Sequence, residues 1–188
     1  MSCEKVKYLK SNEYQGWLLR GIDFTEYLDI LWSLKATGIN KSARIIELGS
    51  GRGLLIKFLR RKGYGNDIGF DLNGVDGLVY ELDLERENPP EADCYIFQHF
   101  IEHIDQSRAL QLLRYCYEKG RAVIGIALGH YCPDPTHIVN YYEHEDLINI
   151  VNQVKPRHYI IRPDFMSFIN PTARDWLVIM SKTPIKGK

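Results

Sequence analysis

Disulfide chemistry, a net charge and a membrane-length apolar run are all missing from this chain. Its four cysteines, Cys3, Cys94, Cys116 and Cys132, are scattered with no C-x-x-C pair, which removes the usual zinc spacings and any disulfide framework. Buried, reduced thiols and no bound metal are the expectation. Lysine plus arginine number 24 and aspartate plus glutamate also 24, so the formal charge is zero and no global basic field recruits nucleic acid. No apolar run approaches the roughly 20 residues that cross a bilayer, so no membrane partner is expected. The opening stretch, MSCEKVKYLKSNEYQG, is charged throughout and lacks an apolar signal core, which makes a cytoplasmic location the expectation. Internal repeats and low-complexity segments are absent as well.

What is present has globular proportions: 188 residues, 45% hydrophobic and 26% charged, long enough for one domain with its own core. DFTEYLDILWSLKATG puts Phe24, Tyr27, Leu28, Leu31 and Leu34 on one helical face, with Asp23 and Glu26 as a capping pair and Gly38 as a stop. ARIIEL then reads as a buried strand, followed by a glycine turn and a helix, LLIKFLRRKG, whose cationic last turn suits the macrodipole. DIGFD, LVYEL from Leu78, ADCYIFQHF and RAVIGIAL supply four more strands. Between the last two lies a helix capped by Asp105 and stopped at Gly120, carrying Leu110, Leu113, Cys116 and Tyr117. YEHEDLINIVNQV is amphipathic through Leu147, Ile150, Val151 and Val154. The closing strands RHYIIRPDF and DWLVIMSK have no helix between them, so they are expected to pair as an antiparallel edge hairpin. Strands alternating with helices predict an α/β fold, a mainly parallel seven-stranded sheet covered on both faces. Only Leu72 to Gly77 separates the second strand from the third, too few residues for a crossover helix, so a bare return loop is expected there.

In an open α/β sheet the ligand crevice lies at the carboxyl ends of the strands, and the turn after the first strand lines it. Gly49, Gly51 and Gly53 occupy that turn. A dinucleotide site would read G-x-G-x-x-G, but Leu54 stands where the third glycine belongs, and no G-K-[ST] follows for a nucleotide-phosphate loop. The stretch does match E-x-G-x-G-x-G, beginning at Glu47.

IELGSGRG resembles the first motif of class I S-adenosylmethionine (SAM)-dependent methyltransferases, and four later stretches extend the likeness. GFD ends the next strand in Asp71, ELDLE offers Asp83 and Leu84, and HFIEHI from His99 to Ile104 is similar to the family's segment after the fourth strand. DPTHIVNYYEHEDLINIV looks like the segment after the fifth, where a histidine precedes a helix. The pattern resembles most the small-molecule, type 11-like methyltransferase domain. The resemblance implies a Rossmann-like fold, SAM as cofactor and a methyl-transfer activity. It assigns cofactor contacts to Glu47, Gly49, Ser50, Gly51, Gly53, Asp71, Leu72, Asp83, Leu84, Gln98, His99 and His103, with Asp71 holding the ribose hydroxyls and Glu47 facing the ammonium of the methionine part. Residues 1–188 are then one methyltransferase domain: a helical extension over 1–40, a cofactor-binding half over 43–128, and an acceptor-side segment with the hairpin over 129–188.

Methyl transfer from a sulfonium is an in-line displacement in which orientation and desolvation carry much of the rate, and only some acceptors need a base. His99, His103, His130, His137 and His144 are the candidate bases. His137, in the loop after the fifth strand, is the expected acceptor-side residue, with His99 second. Tyr131, Tyr141, Tyr142 and Trp32 could form an aromatic acceptor pocket or serve as ordinary core. The zero net charge favours a small-molecule acceptor over nucleic acid. The local basic groups, KFLRRK and the set Arg157, His158, Arg162 and Arg174, make no continuous track. A non-catalytic SAM-binding or regulatory module of the same fold stays open as the alternative, with a nucleic-acid or protein methyltransferase behind it. Neither the acceptor nor the oligomeric state follows from the sequence.

Overall fold

The computed structural model describes residues 24–130, 134–139, 142–165, 167 and 175–187. Asp23, Cys3, Cys132, Tyr131, Tyr141 and Arg174 lie outside the described residues. The first helix, α1 (Phe24–Ala36), precedes β1 (Ile45–Leu48), α2 (Leu54–Arg61), β2 (Asp67–Asp71), β3 (Val79–Glu81) and β4 (Cys94–Gln98). A 3-10 turn (Ile101–His103), α3 (Gln106–Lys119), β5 (Ala122–Leu128), α4 (His144–Val154), β6 (His158–Pro163) and β7 (Asp175–Ser181) complete the order. The seven strands form one sheet in the order β3-β2-β1-β4-β5-β7-β6. All neighbours are parallel except β7, which runs antiparallel to both β5 and β6.

Strand alternation builds two cores, one on each face. Ile46, Leu48, Tyr95, Phe97, Val123 and Met180 pack beneath α3 and α4 with Leu112, Leu113, Cys116, Leu147 and Val151. Ile45, Ile96, Ile124, Ile126 and Ile179 pack beneath α1 and α2 with Ile30, Leu34, Leu55 and Leu59. Side chains of successive strand residues point to opposite faces, so continuous apolar runs such as AVIGIAL serve both layers at once. Asp105 caps α3, its side chain accepting the N–H groups of Ser107 and Arg108. Cys94 and Cys116 are buried free thiols, and burial pushes both well above the usual thiol range.

Two helical faces differ from their sequence reading. On α1, Leu28 is 42% exposed while Ile30 is fully buried, and Glu26, Asp29 and Ser33 are buried beside it. The helix is turned because its carboxylates have partners inside: Glu26 accepts from Gln98, and Asp29 takes the Arg162 guanidinium and the Phe165 N–H. On α3 it is Ala109 and Leu112, with Leu113, Cys116 and Tyr117, that are buried, and Leu110 is only half-buried. Between β2 and β3 no helix forms: Val75 donates to the Val79 carbonyl across a tight return, which lets Gly69–Asp71 pair with Val79–Glu81.

The strand order reverses between β1 and β4, so the crevice outside their carboxyl ends is where this topology seats a ligand. Because β7 is antiparallel, its first residue lies at that same edge, with Asp175 opposite Leu128.

Candidate functional site

The turn after β1 is left-handed at each of its glycines, with φ of +67° at Gly49, +52° at Gly51 and +67° at Gly53. At Gly49 the requirement is double, because a Cβ would also stand 2.3 Å from the Phe100 ring. The turn is stitched to β2: Gly49 and Ser50 donate their N–H groups to the Phe70 carbonyl at 2.9 and 3.1 Å. Gly69 allows the approach, since a Cβ there would lie 2.1 Å from Ser50 Oγ.

Asp71, the last residue of β2, accepts the Gly51 N–H on Oδ2 at 2.9 Å and the Asn73 N–H on Oδ1 at 3.4 Å. Burial raises its carboxyl, and hydrogen bonds from the Gly51, Asn73 and Leu72 backbone pull the other way. A carboxylate has about four lone-pair positions, so room remains for a further donor beside the Gly51, Asn73 and Leu72 N–H groups. Glu47, on β1, is 4% exposed, and its Oε2 has no hydrogen-bond partner. Burial, then the charges of Asp71 and Asp67, hold it well above the usual carboxylate range. A buried, unpartnered carboxylate oxygen is costly unless a cation or donor completes it. The residues therefore fit SAM, an ammonium against Glu47 and a vicinal diol against Asp71. Tyr27 of α1 shares this pocket: burial and the charges of Glu47 and Glu26 push its hydroxyl up.

On the adenine side of the expected site, Asp83 accepts the Glu85 N–H at 3.0 Å and pairs with Arg86 at 3.5 Å. The Leu84 side chain is in the core, and its carbonyl accepts from Arg108 Nε at 2.9 Å. Leu72 is half-buried directly after β2.

A second group gathers at the end of β4. Glu26 of α1 accepts from Gln98 Nε2 on one oxygen at 2.8 Å, and its other oxygen lies 3.0 Å from His99 Nε2. The opposite ring nitrogen of His99 is 3.4 Å from Glu102, and Asp175 stands 3.9 Å from Nε2. His99 adopts φ +45°, a left-handed conformation that costs a non-glycine residue on the order of 1 kcal/mol or more. Burial opposes a charge on His99, but Glu26 and Glu102 outweigh it and raise the imidazole well above its usual value. Burial likewise works to raise Glu102, but His99 and His103 bring its carboxyl below the usual range. Asp175 also accepts the Gly129 N–H and faces His130 Nδ1, both at 3.1 Å.

The loop after β5 folds back over this group. Ile138 and Val139 donate their N–H groups to the Glu102 carbonyl at 2.8 and 3.1 Å. Thr136 Oγ1 lies 2.8 Å from His103 Nδ1, and the His103 and His137 rings meet edge-on at 4.6 Å. His137 is thus brought beside His103 and, through Glu102, close to His99. His144 instead packs on Trp176 at the start of α4.

The aromatic pocket is not assembled among the described residues. Tyr142 is buried in the α3/α4 core, its hydroxyl donating to the Ile101 carbonyl. Trp32 packs on the opposite face of the sheet under the Arg162 guanidinium. Glu26 and Asp175 are the site-edge residues that motif reading did not pick out, and Glu102, inside HFIEHI, carried no role of its own there. In the sequence Glu26 fits a helix-cap pattern, and Asp175 follows a segment with no motif.

No family model and no curated protein matches this sequence. Solved structures do. A SAM-dependent methyltransferase from Archaeoglobus fulgidus superposes with a TM-score of 0.68 at 19% identity over 92% of this chain and 100% of that one. Magnesium protoporphyrin IX methyltransferase from Synechocystis, solved with SAM bound, gives 0.67 at 15% identity over 97% and 99%. The chain has the class I methyltransferase fold. The small RNA methyltransferase HEN1 shares this class I fold at a TM-score of 0.62 and 12% identity, over 87% of this chain and 25% of that one. A porphyrin and a small RNA are very different acceptors, so the class I fold does not by itself select between acceptor types.

Proposed function

We propose that this chain is a SAM-dependent methyltransferase acting on a small-molecule acceptor. The observation that carries the reading is the pairing of a buried and a half-buried carboxylate behind one glycine turn. Glu47 has an unpartnered oxygen, and Asp71 is oriented by Gly51 with room for a further donor. That pair suits a ligand with an ammonium at one end and a diol further along. When bound, SAM supplies a methyl group activated on a sulfonium. Glu47 and the Gly49–Gly53 main chain hold the methionine part, Asp71 the ribose, and Asp83 with the Leu84 backbone the adenine side. Gln98, His99 and His103 form the wall next to the reacting end.

His99 has Glu26 against one ring nitrogen and Glu102 against the other, so it serves as a wall of the site and not as the base. Proton removal falls to His137, which stands against His103 in the loop that the Glu102 carbonyl anchors through Ile138 and Val139. A small acceptor is favoured because cations that could form a track are engaged internally: Arg60 with Asp67, and Arg162 with Asp29.

The test is calorimetry with SAM and S-adenosylhomocysteine, followed by turnover against a panel of small hydroxyl, amine and carboxylate compounds and bulk RNA. Cofactor binding with turnover on a small compound supports the reading. Binding without any turnover replaces it by a binding module, and salt-sensitive methylation of RNA replaces the acceptor.

A further inference from the structure

His99 Nε2 faces two carboxylates at once. Glu26 Oε1 lies 3.0 Å away and Asp175 Oδ2 3.9 Å, and the three residues each offer a ligand atom within 4.8 Å of the other two. Both acids are buried, at 6% and 8% exposure, and come from different elements, α1 and β7. Other bonds hold each carboxylate in place: Gln98 fixes the second oxygen of Glu26, and Gly129 and His130 engage Oδ1 of Asp175. No hydrogen bond reaches Oδ2 of Asp175 among the described residues. An independent observation lies behind the ring. Glu102 is fully buried, neither of its oxygens has a hydrogen-bond partner, and Oε1 stands 3.4 Å from His99 Nδ1. One imidazole thus has a carboxylate behind it and two in front, a surplus of buried negative charge that a single proton does not balance.

We propose that Glu26, His99 and Asp175 bind a divalent metal ion of the Mn2+ or Zn2+ class at the mouth of the cleft. Ligand atoms about 2.0–2.2 Å from such an ion sit roughly 3 to 4.3 Å from one another, the range spanned by the separations around His99. One nitrogen and two carboxylate oxygens suit Mn2+ and Zn2+ better than soft cations. Glu102, with Oε1 3.4 Å from Nδ1, stands where a carboxylate commonly stands behind a metal-bound histidine. The His99 side chain is 32% exposed, so the solvent side of the ion is open to water or to an acceptor oxygen. The ion lies across β4 from the Asp71 end of the cleft, and its binding does not depend on methyl transfer.

The experiment adds Mn2+ to the full chain without SAM, following the loss of free-ion paramagnetic resonance signal, with Zn2+ titrated by calorimetry in parallel. One ion per chain is expected. Glu26→Gln and Asp175→Asn, each checked for native circular dichroism and melting, are expected to weaken binding at least about tenfold. Should either variant not fold, His99→Gln takes its place with the same expectation. A wild-type chain that binds neither ion overturns the site, leaving His99 as a protonated clasp between helix and strand. Binding that survives these substitutions and disappears in His103→Ala or His137→Ala overturns the ligand set. SAM affinity is measured separately, so a chain that binds metal but not SAM refutes the methyltransferase reading alone, and the reverse result refutes the metal site alone.

Discussion

Gly51 donates its backbone N–H to Oδ2 of Asp71 at 2.9 Å, tying the glycine turn to the end of the next strand across 20 positions. The carboxylate is thereby oriented before any ligand arrives, so little of its binding energy is spent on ordering it. Asp71→Ala is expected to weaken SAM binding by about 1.5–3 kcal/mol, the range for hydrogen bonds to a charged group. Calorimetry reads this directly, and a variant that binds as well as the parent removes Asp71 from the site.

Glu47 makes the opposite trade, giving up stability for a ligand. Its folded-state pKa is raised by burial and by Asp71 and Asp67. Its contribution to stability is therefore complete below the ordinary value of 4.5 and is lost as pH rises through the raised value. At neutral pH without ligand, Glu47→Gln is expected to melt above the parent, with the gap closing below pH 4.5. The same substitution removes the partner of the ammonium and is expected to cost about 2 kcal/mol of SAM affinity. Because an ammonium favours the ionised carboxylate, SAM binding should release a proton. Binding enthalpies in two buffers of different ionisation heat measure that release. A Glu47→Gln chain that melts lower at neutral pH contradicts the assignment.

Gly69 tests whether the close approach of turn and strand matters as much as the ligand contacts. A Cβ would meet Ser50 Oγ at 2.1 Å and Ser50 Cβ at 2.7 Å, and β2 is clamped between β1 and β3. Gly69→Ala is expected to destabilise the chain by about 1–3 kcal/mol, as overpacking does, and to weaken SAM binding with it, because Ser50 is the element that yields. Thermal melting with parallel calorimetry checks both effects, and a stable variant with lost affinity would mean that the turn moves freely.

The sheet was legible because its strands are short apolar runs set off by glycine turns and helical stretches, and the antiparallel β7 because nothing helical could be read before it. The cofactor turn was legible for a local reason: Gly49, Gly51, Gly53 and Asp71 act through spacing along one strand-turn-strand unit. The Glu26–His99–Asp175 group was not. Its members come from positions 26, 99 and 175, and only the sheet order brings them to one edge. Glu26 satisfies a helix-cap pattern equally well on paper. The same tertiary demand turned α1, since burying Glu26 and Asp29 against Gln98 and Arg162 left Leu28 in solvent. Periodicity counts apolar residues and has no means of weighing a buried acid that has found its partner.

His137 is the residue on which the catalytic part of the proposal stands, and its surroundings make the test clean. The loop that carries it is held by main-chain bonds, His137 N–H to the Asp134 carbonyl and Ile138 and Val139 N–H to the Glu102 carbonyl. None of these needs the imidazole. The ring itself meets His103, whose Nδ1 is engaged with Thr136. His137→Ala should therefore leave the loop and the glycine turn in place, so that SAM affinity stays close to that of the parent. Turnover is expected to fall about 100-fold or more, as for the loss of a general base, in kcat more than in KM. A variant chain that loses SAM binding together with activity assigns His137 a structural role. One that keeps full turnover shows that the acceptor's proton leaves by another route, and His103, the ring in contact with it, is then the residue to replace.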